Sequence, residues 1–240
     1  MEALKRIIAE SKNIVFFGGA GVSTESGIPD FRGASGVFQQ KYQRNAEVIL
    51  SNYFFSLHPE EFYDFYYAVM LHPQAQPNSA HLALAKLEKA GKLKAVITQN
   101  IDDLHTQAGS REVLELHGSV TRNYCTKCHQ FYDLETFLKR APYPKCDCGG
   151  WIKPDVVLYG EPLDNDIFDR AEKYIESCDT LIIGGTSLQV YPANGLIHHF
   201  HGKNLVLIDP AASKIDTKAT LVIKDKIGHT LEFVNHENEY

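Results

Sequence analysis

The sequence predicts an α/β fold, a doubly wound parallel sheet interrupted by two insertions that combine into a smaller second domain. Three observations predict it. Five short runs, residues 14–17, 95–98, 180–183, 205–208 and 221–223, are apolar nearly throughout, as parallel strands covered on both faces require. Between them lie segments with apolar residues at helical spacing, including Leu82, Leu84, Ala85 and Leu87, then Ile167, Ala171, Tyr174 and Ile175. Two further stretches carry no such strand and break the alternation.

Taken in order, the first run leads into a turn of small residues and then a polar loop. Residues 34–78 follow, rich in aromatics such as Phe54, Phe55, Phe62, Tyr63, Tyr66 and Tyr67, and predict a helical insertion. Residues 79–90 return to a helix and 95–98 to a strand. Residues 120–155 hold four of the five cysteines and predict a metal-binding insertion. The remaining runs complete the sheet. The division is therefore 1–33, 79–119 and 156–240 for the large nucleotide-binding domain, with 34–78 and 120–155 together forming the small one.

Composition narrows the function. The 240 residues carry a net charge of −6, and the lysines and arginines form no block. No nucleic-acid groove or anionic membrane surface is indicated, and a positively charged substrate fits more easily. The start of the chain is amphipathic rather than a signal core, which predicts a cytoplasmic protein. The longest uncharged stretch, 180–202, is broken by Gly184, Gly185, Gln189, Pro192 and Asn194, so no membrane span is expected.

The candidate chemistry lies where strands end. Gly18-Gly19-Ala20-Gly21-Val22-Ser23 lets backbone N–H groups approach a pyrophosphate, although Thr24 stands where a dinucleotide fingerprint needs its third glycine. A tight turn without ligand explains the glycines equally well. The adjoining loop places Asp30, Phe31 and Arg32 among turn formers, which favours function. Gln99, Asn100 and Asp102 crowd after the second run, more polar groups than one helix cap needs; Asp103 is expected to be solvated. His117 can take a proton near neutral pH, while His105, His198, His199 and His201 are read as structural. Gly184-Gly185-Thr186-Ser187 suits phosphate or ribose. Asp209 could accept from ribose hydroxyls or merely start a turn before Pro210. The run 154–161 is either a plain strand of a sheet or an edge for a substrate peptide. Cys125 and Cys128, then Cys146 and Cys148, form two close pairs that predict a closed structural zinc site; catalytic zinc or a nucleic-acid ribbon is the weaker reading. Cys178 is expected in the core.

Together, Gly19-Ala20-Gly21-Val22-Ser23, Asp30-Phe31-Arg32, Thr98-Gln99-Asn100-Ile101-Asp102, Leu116-His117-Gly118, the four cysteines and Gly185-Thr186-Ser187 resemble the sirtuin family of NAD-dependent protein deacylases, in its compact bacterial form. The resemblance implies a Rossmann-like domain and a small zinc-binding and helical domain, with NAD and an acyl-lysine peptide meeting between them. It implies attack of the acyl oxygen on the ribose carbon as nicotinamide leaves, and release of free lysine and O-acyl-ADP-ribose. His117 would be the base, acting on a ribose hydroxyl. Asn100 and Asp102 would shape the nicotinamide and ribose pocket, with Phe31 guarding the exit. Gly19, Ala20, Gly21, Thr24, Asp30, Arg32, Gln99, Ile101, Gly185, Thr186, Ser187, Asp209 and the segment at Ile227 would hold the rest of NAD. Asp209 replaces a common asparagine and Tyr159 a common phenylalanine. Relatives that prefer succinyl or malonyl groups carry a tyrosine and, three positions on, an arginine; here Tyr63 is followed by Tyr66, and no arginine occurs between Arg44 and Arg111. Neutral acyl groups are therefore expected. A mono-ADP-ribosyltransferase and a non-catalytic NAD- or zinc-binding module are the rival readings.

Overall fold

The computed structural model describes residues 1–31, 36–37, 44–186, 191–211 and 219–237. Helix α1 (Glu2–Glu10) precedes β1 (Ile14–Gly18). Short helices α2 (Ala46–Ile49), α3 (Asn52–Leu57) and α4 (Pro59–Phe65) follow, and then α5 (Ser79–Lys89), β2 (Leu93–Thr98), α6 (Leu104–Gln107) and β3 (Val113–Glu115). Next come β4 (Gly118–Cys125), β5 (Phe131–Asp133), α7 (Leu134–Leu138) and β6 (Ile152–Val156). The chain ends with α8 (Asn165–Ser177), β7 (Thr180–Gly184), β8 (Asn204–Ile208), β9 (Leu221–Ile223) and α9 (Ile227–His236).

Among the described residues β3-β2-β1-β7-β8-β9 form one six-stranded sheet, parallel at every pairing. Side chains alternate across it as strand geometry dictates. Ile14 and Phe16 of β1 join Leu84, Leu87, Leu231 and Val234 from α5 and α9, while Val15 and Phe17 join Ala171 and Ile175 from α8. Both faces are covered, which is why the strands read as continuous apolar runs. The order places β1 and β7 side by side while their onward connections run to opposite halves of the sheet, and ligands bind at such a switch point.

A second sheet, β5-β4-β6, is antiparallel. It shares an apolar cluster with the aromatic helices: Phe62, Tyr63, Tyr66, Val120, Phe137 and Ile152 are all buried there. Packing is by ring edges and faces, with Phe62 against Tyr63 at 5.3 Å and Tyr63 stacked on Trp151 at 5.4 Å.

Three sequence expectations change. Residues 221–223, expected fully buried, are half-buried because β9 is an edge strand. The opposite edge strand β3 was not expected; it is only three residues long, and a single one of them is buried. Strands β4 and β5 were not expected either, since their polar alternation lacks the apolar runs that mark the large sheet, while the run 154–161, expected as a plain strand or a peptide edge, lies in β6 only as far as Val156.

Helix α5 shows how sequence sets a boundary. Asn78 Oδ1 accepts from Ala80 N at 2.9 Å, and Asn78 N donates back to His81 Nδ1 at 3.2 Å, a reciprocal cap. His81 is therefore neutral, with its proton on Nε2. Its ring lies 4.7 Å from that of His105, which is buried without a hydrogen-bond partner on either nitrogen among the described residues. Burial lowers His81 to about 4, and burial together with the neighbouring imidazole holds His105 well below the usual histidine range. In the unfolded chain a histidine titrates near 6.5. The unfolded state thus binds more protons below that pH, so stability is complete above about 6.5 and is lost as pH falls toward the folded values. Denaturant unfolding should show a loss on the order of 2 kcal/mol between pH 7 and pH 5 from His81 alone; a flat profile across that window would refute the buried neutral pair.

Candidate active site

A cleft of 1030 Å³ opens above the switch point, between the two sheets. Its floor is glycine for a steric reason. Gly21 N donates to Gly185 O at 2.8 Å, and a Cβ on Gly21 would lie 2.7 Å from Gly185 Cα. A Cβ on Gly19 would lie 2.8 Å from Thr186 Cβ and 2.9 Å from Gln99 Oε1. The loops that follow β1 and β7 thus meet backbone to backbone, and no larger residue fits between them.

Ser23 ends the first loop and ties it to the one after β2. Its hydroxyl donates to Asp102 Oδ2 at 2.6 Å and accepts from Asn100 Nδ2 at 3.1 Å. Asp102 Oδ1 accepts from Leu104 N at 3.0 Å, which holds the start of α6. Burial pushes the Asp102 carboxyl above its ordinary range, and the bonds from Ser23 and Leu104 oppose that shift. Gln99 links three segments: its N donates to Gly18 O at 3.0 Å, its Oε1 accepts from the Thr186 hydroxyl at 3.0 Å, and its carbonyl accepts from His117 Nδ1 at 3.0 Å.

That last contact settles the tautomer. A carbonyl oxygen can only accept, so Nδ1 carries the proton and Nε2 keeps its lone pair. Burial lowers the His117 pKa, partly offset by the Gln99 bond. The ring is therefore neutral at pH 7, and the residue lines the cleft.

Of the other expected contacts, Ala20, Gly21, Asp30, Phe31, Asn100, Ile101, Asp102, Gly185, Thr186 and Asp209 line the same cleft. Asp209 lines the cleft, and its Oδ1 accepts from Ala211 N at 2.7 Å in a turn. Burial pushes its carboxyl up, and the charge of Asp30 adds to that. Gly19 and Thr24 lie behind the lining; the Thr24 hydroxyl donates to Gly21 O at 2.9 Å. Ile227 is buried in the large-sheet core, with its Cδ1 2.5 Å from where a Gly184 Cβ would stand, and does not reach the cleft. Arg32 and Ser187 lie outside the described residues. Asp103, expected to be solvated, is partly buried at a positive φ of 66°, because it turns the chain into α6. Sequence reading quoted Ser23 without a role; only the approach of the two loops reveals one.

Part of the lining is apolar, including Leu50, Val69, Leu71, Val120, Leu134 and Leu158, and among the described residues no lysine or arginine lines the cleft. Tyr63 and Tyr66 do not line it: both are in the small-domain core, where the Tyr63 hydroxyl donates to Ile152 O at 2.7 Å. The run 154–161 divides. Residues up to Val156 pair with β4, whereas Val157 N donates to His117 O at 3.0 Å and Tyr159 N to Leu50 O at 2.9 Å, stapling this edge of the cleft to both domains.

Two ligands are tested by these atoms. Gln99 Nε2 is buried without a partner among the described residues, a donor left beside the glycine floor, and this fits an oxygen-rich dinucleotide. The sulfurs of Cys125, Cys128, Cys146 and Cys148 lie within 4.8 Å of one another, and none of the four is in a disulfide. The Cys125–Cys148 and Cys128–Cys146 sulfur distances are 3.4 and 3.5 Å; tetrahedral zinc with bonds of about 2.3 Å sets them at about 3.8 Å. Four thiolates fill the coordination sphere, and no member lines the cleft, so the site is structural. Cys178 is buried in the core, as expected.

The family model described as the Sir2 family matches residues 19–192. The chain belongs to the Sir2 family. Within that family, a Clostridium perfringens (strain 13 / Type A) protein named NAD-dependent protein deacetylase is 59% identical over 232 residues, which is 95% of each chain. A Staphylococcus aureus (strain N315) protein of the same name is 46% identical, covering 94% of this chain and 93% of its own. Among solved structures, a histidine-to-alanine Sir2 variant with a deacetylated p53 peptide and 3'-O-acetyl ADP ribose matches with a TM-score of 0.90 at 38% identity, covering 99% of this chain and 98% of that one. Sir2 with a p53 peptide and NAD+ matches at 0.87 and 39%, covering 98% and 97%.

Two outcomes follow for this Sir2-family chain. Ser23→Ala removes the hydroxyl that holds Asp102 and Asn100, and should lower kcat/KM about 10-fold with little change in melting temperature. Metal analysis should find one zinc per chain, and Cys148→Ala should lose it with a fall in Tm of about 10 °C; full retention of zinc by that variant would exclude the four-thiolate site.

Proposed function

We propose that this protein is an NAD-dependent protein-lysine deacetylase, releasing free lysine, nicotinamide and O-acyl-ADP-ribose. The observation that carries the reading is His117, held neutral by Gln99 with Nε2 available in a cleft that joins a glycine-floored loop pair to an apolar wall. NAD, when bound, supplies the ribosyl group that takes the acyl group as nicotinamide departs. The chain's own residues do the rest. The Gly19–Gly21 and Gly185–Thr186 loops and Gln99 Nε2 receive the phosphate and ribose oxygens, while Asn100 and Asp102, fixed through Ser23, shape the nicotinamide and ribose end. His117 Nε2 then accepts a proton from a ribose hydroxyl. The apolar wall receives the acyl chain, and one water completes the reaction, balancing the free lysine amine and the hydroxyl left on the ribose carbon that nicotinamide vacates. Ala20, Asp30, Phe31, Ile101 and Asp209 are read as further NAD contacts on their place in the lining, and Arg32 and Ser187 on the family motif alone.

We assign 1–33, 79–119 and 156–240 to the NAD-binding domain and 34–78 with 120–155 to the small domain, because residues from both insertions share one apolar cluster. Among the described residues no helix is long and apolar enough to cross a membrane.

Mass spectrometry of an acetyl-lysine peptide incubated with enzyme and NAD should show loss of acetyl and formation of O-acetyl-ADP-ribose. His117→Ala should slow this by about 10²- to 10⁴-fold. ADP-ribose attached to protein, with the peptide intact, would instead select the transferase reading. Succinyl-lysine should react more slowly than acetyl-lysine, since no cation in the described lining can meet its carboxylate; faster turnover of the succinyl peptide would overturn that preference.

A further inference from the structure

His117 sits at the point where the chain steps from one sheet to the other. Glu115 closes β3 of the six-stranded sheet, and Gly118 opens β4 of the antiparallel sheet. On the backbone the step is fixed by Gly118, whose φ is 76° and whose Cβ, if present, would lie 1.9 Å from Asp155 O. Leu116 N donates to Thr98 O at 2.9 Å and Val120 N to Ile101 O at 2.9 Å, anchoring both sides of the histidine to the strand and loop that carry Gln99 and Asn100.

A side-chain contact spans the same step. Arg122, on β4, donates through Nη1 to Glu115 Oε2 and through Nε to Asp155 Oδ2, each at 2.8 Å. One guanidinium therefore joins β3 of the large sheet to β4 and β6 of the small one. Its charge also reaches Asp103, the neighbour of Asp102. The two pairs differ in environment: the Glu115 side chain is 12% exposed and that of Asp155 44%. An exposed pair contributes little, but a carboxylate as enclosed as Glu115 is costly to leave without its partner. A planar fork that meets two carboxylates in two directions also fixes their relative position, which a lysine cannot do as well. Arg122 lines no part of the cleft and touches neither His117 nor the thiol cluster.

We propose that Arg122 is a positioning residue for the proton-transfer step, clamping the crossover so that the His117 ring stays against Gln99 O with Nε2 at the reacting hydroxyl. This rests on the deacetylase reading, in which nicotinamide leaves before His117 acts. The clamp should then matter to the second event and not the first. Truncation would leave three carboxylates, Glu115, Asp155 and Asp103, around an empty place, and the crossover would shift by their repulsion.

The experiment is single-turnover rapid quench with acetyl-lysine peptide and NAD, following nicotinamide and O-acetyl-ADP-ribose separately in wild type, Arg122→Met, Arg122→Lys and Arg122→Met/Glu115→Gln. In Arg122→Met the O-acetyl product should form about 10-fold more slowly while nicotinamide release and the peptide KM stay within about twofold of wild type. Arg122→Lys should fall between the two, and adding Glu115→Gln to Arg122→Met should restore part of the lost rate by removing the unpaired carboxylate. Equal slowing of both events would mean general loosening and would overturn the proposal, as would no slowing of either. If Arg122→Met does not fold, Glu115→Gln alone decides, since it keeps the guanidinium and the side-chain shape; unchanged product formation there overturns the clamp. Wild-type enzyme that releases no nicotinamide would overturn the deacetylase reading itself, and the role of Arg122 with it.

Discussion

The contact on which the rest depends is the meeting of Gly21 with Gly185, where the loops leaving β1 and β7 touch without side chains between them. Two parallel strands whose onward connections diverge necessarily leave a gap above their ends. Here the gap is floored by backbone alone, so the polar groups around it, from Thr186 to Gln99 and from Ser23 to Asp102, are brought within hydrogen-bonding distance across loops distant in sequence. A Cβ at either glycine would push those loops apart and with them every distance in the cleft.

The second domain has a different physical basis. A three-stranded sheet and a few short helices bury too little to hold a unique structure easily. Two devices compensate. One is a dense aromatic cluster, in which Phe62, Tyr63, Tyr66 and Phe137 fill the space that larger domains give to aliphatic layers. The other is the set of four thiolates, which ties the turn before β5 to the one before β6, where a Cβ on Gly150 would lie 2.6 Å from Cys125 Sγ. The cleft's apolar wall is built on this domain and its polar side on the other, so the chemistry requires both sheets in register. Gly118 and Arg122 hold that register at the step where His117 lies.

Much of this was legible in the chain. The long strands of the large sheet are covered on both faces, so their sequences are apolar throughout and stand out. The zinc set was legible because thiolate spacing is fixed by the metal's own geometry. The edge strands were harder to see, β3 and β9 being short and only partly buried, and β4 to β6 mix polar and apolar residues because one side of that small sheet meets water. The segment at Ile227 was expected beside NAD from the resemblance, and the Ile227 side chain is buried in the core against Gly184.

By itself the sequence determined the sheet order's ingredients, the thiol cluster and the set of polar residues at strand ends, because these follow from local periodicity and from spacings within short segments. It also named His117 among eleven histidines. Only the tertiary structure decided which nitrogen of that histidine keeps its lone pair, since its tautomer depends on the Gln99 carbonyl 18 positions away. The contacts of Ser23 and Arg122 likewise come from partners on other elements: Asp102 lies 79 positions from Ser23, and Asp155 lies 33 from Arg122. A hydrogen bond between such residues leaves no periodic trace in the chain, because nothing in local geometry links their positions until the strands that carry them have paired.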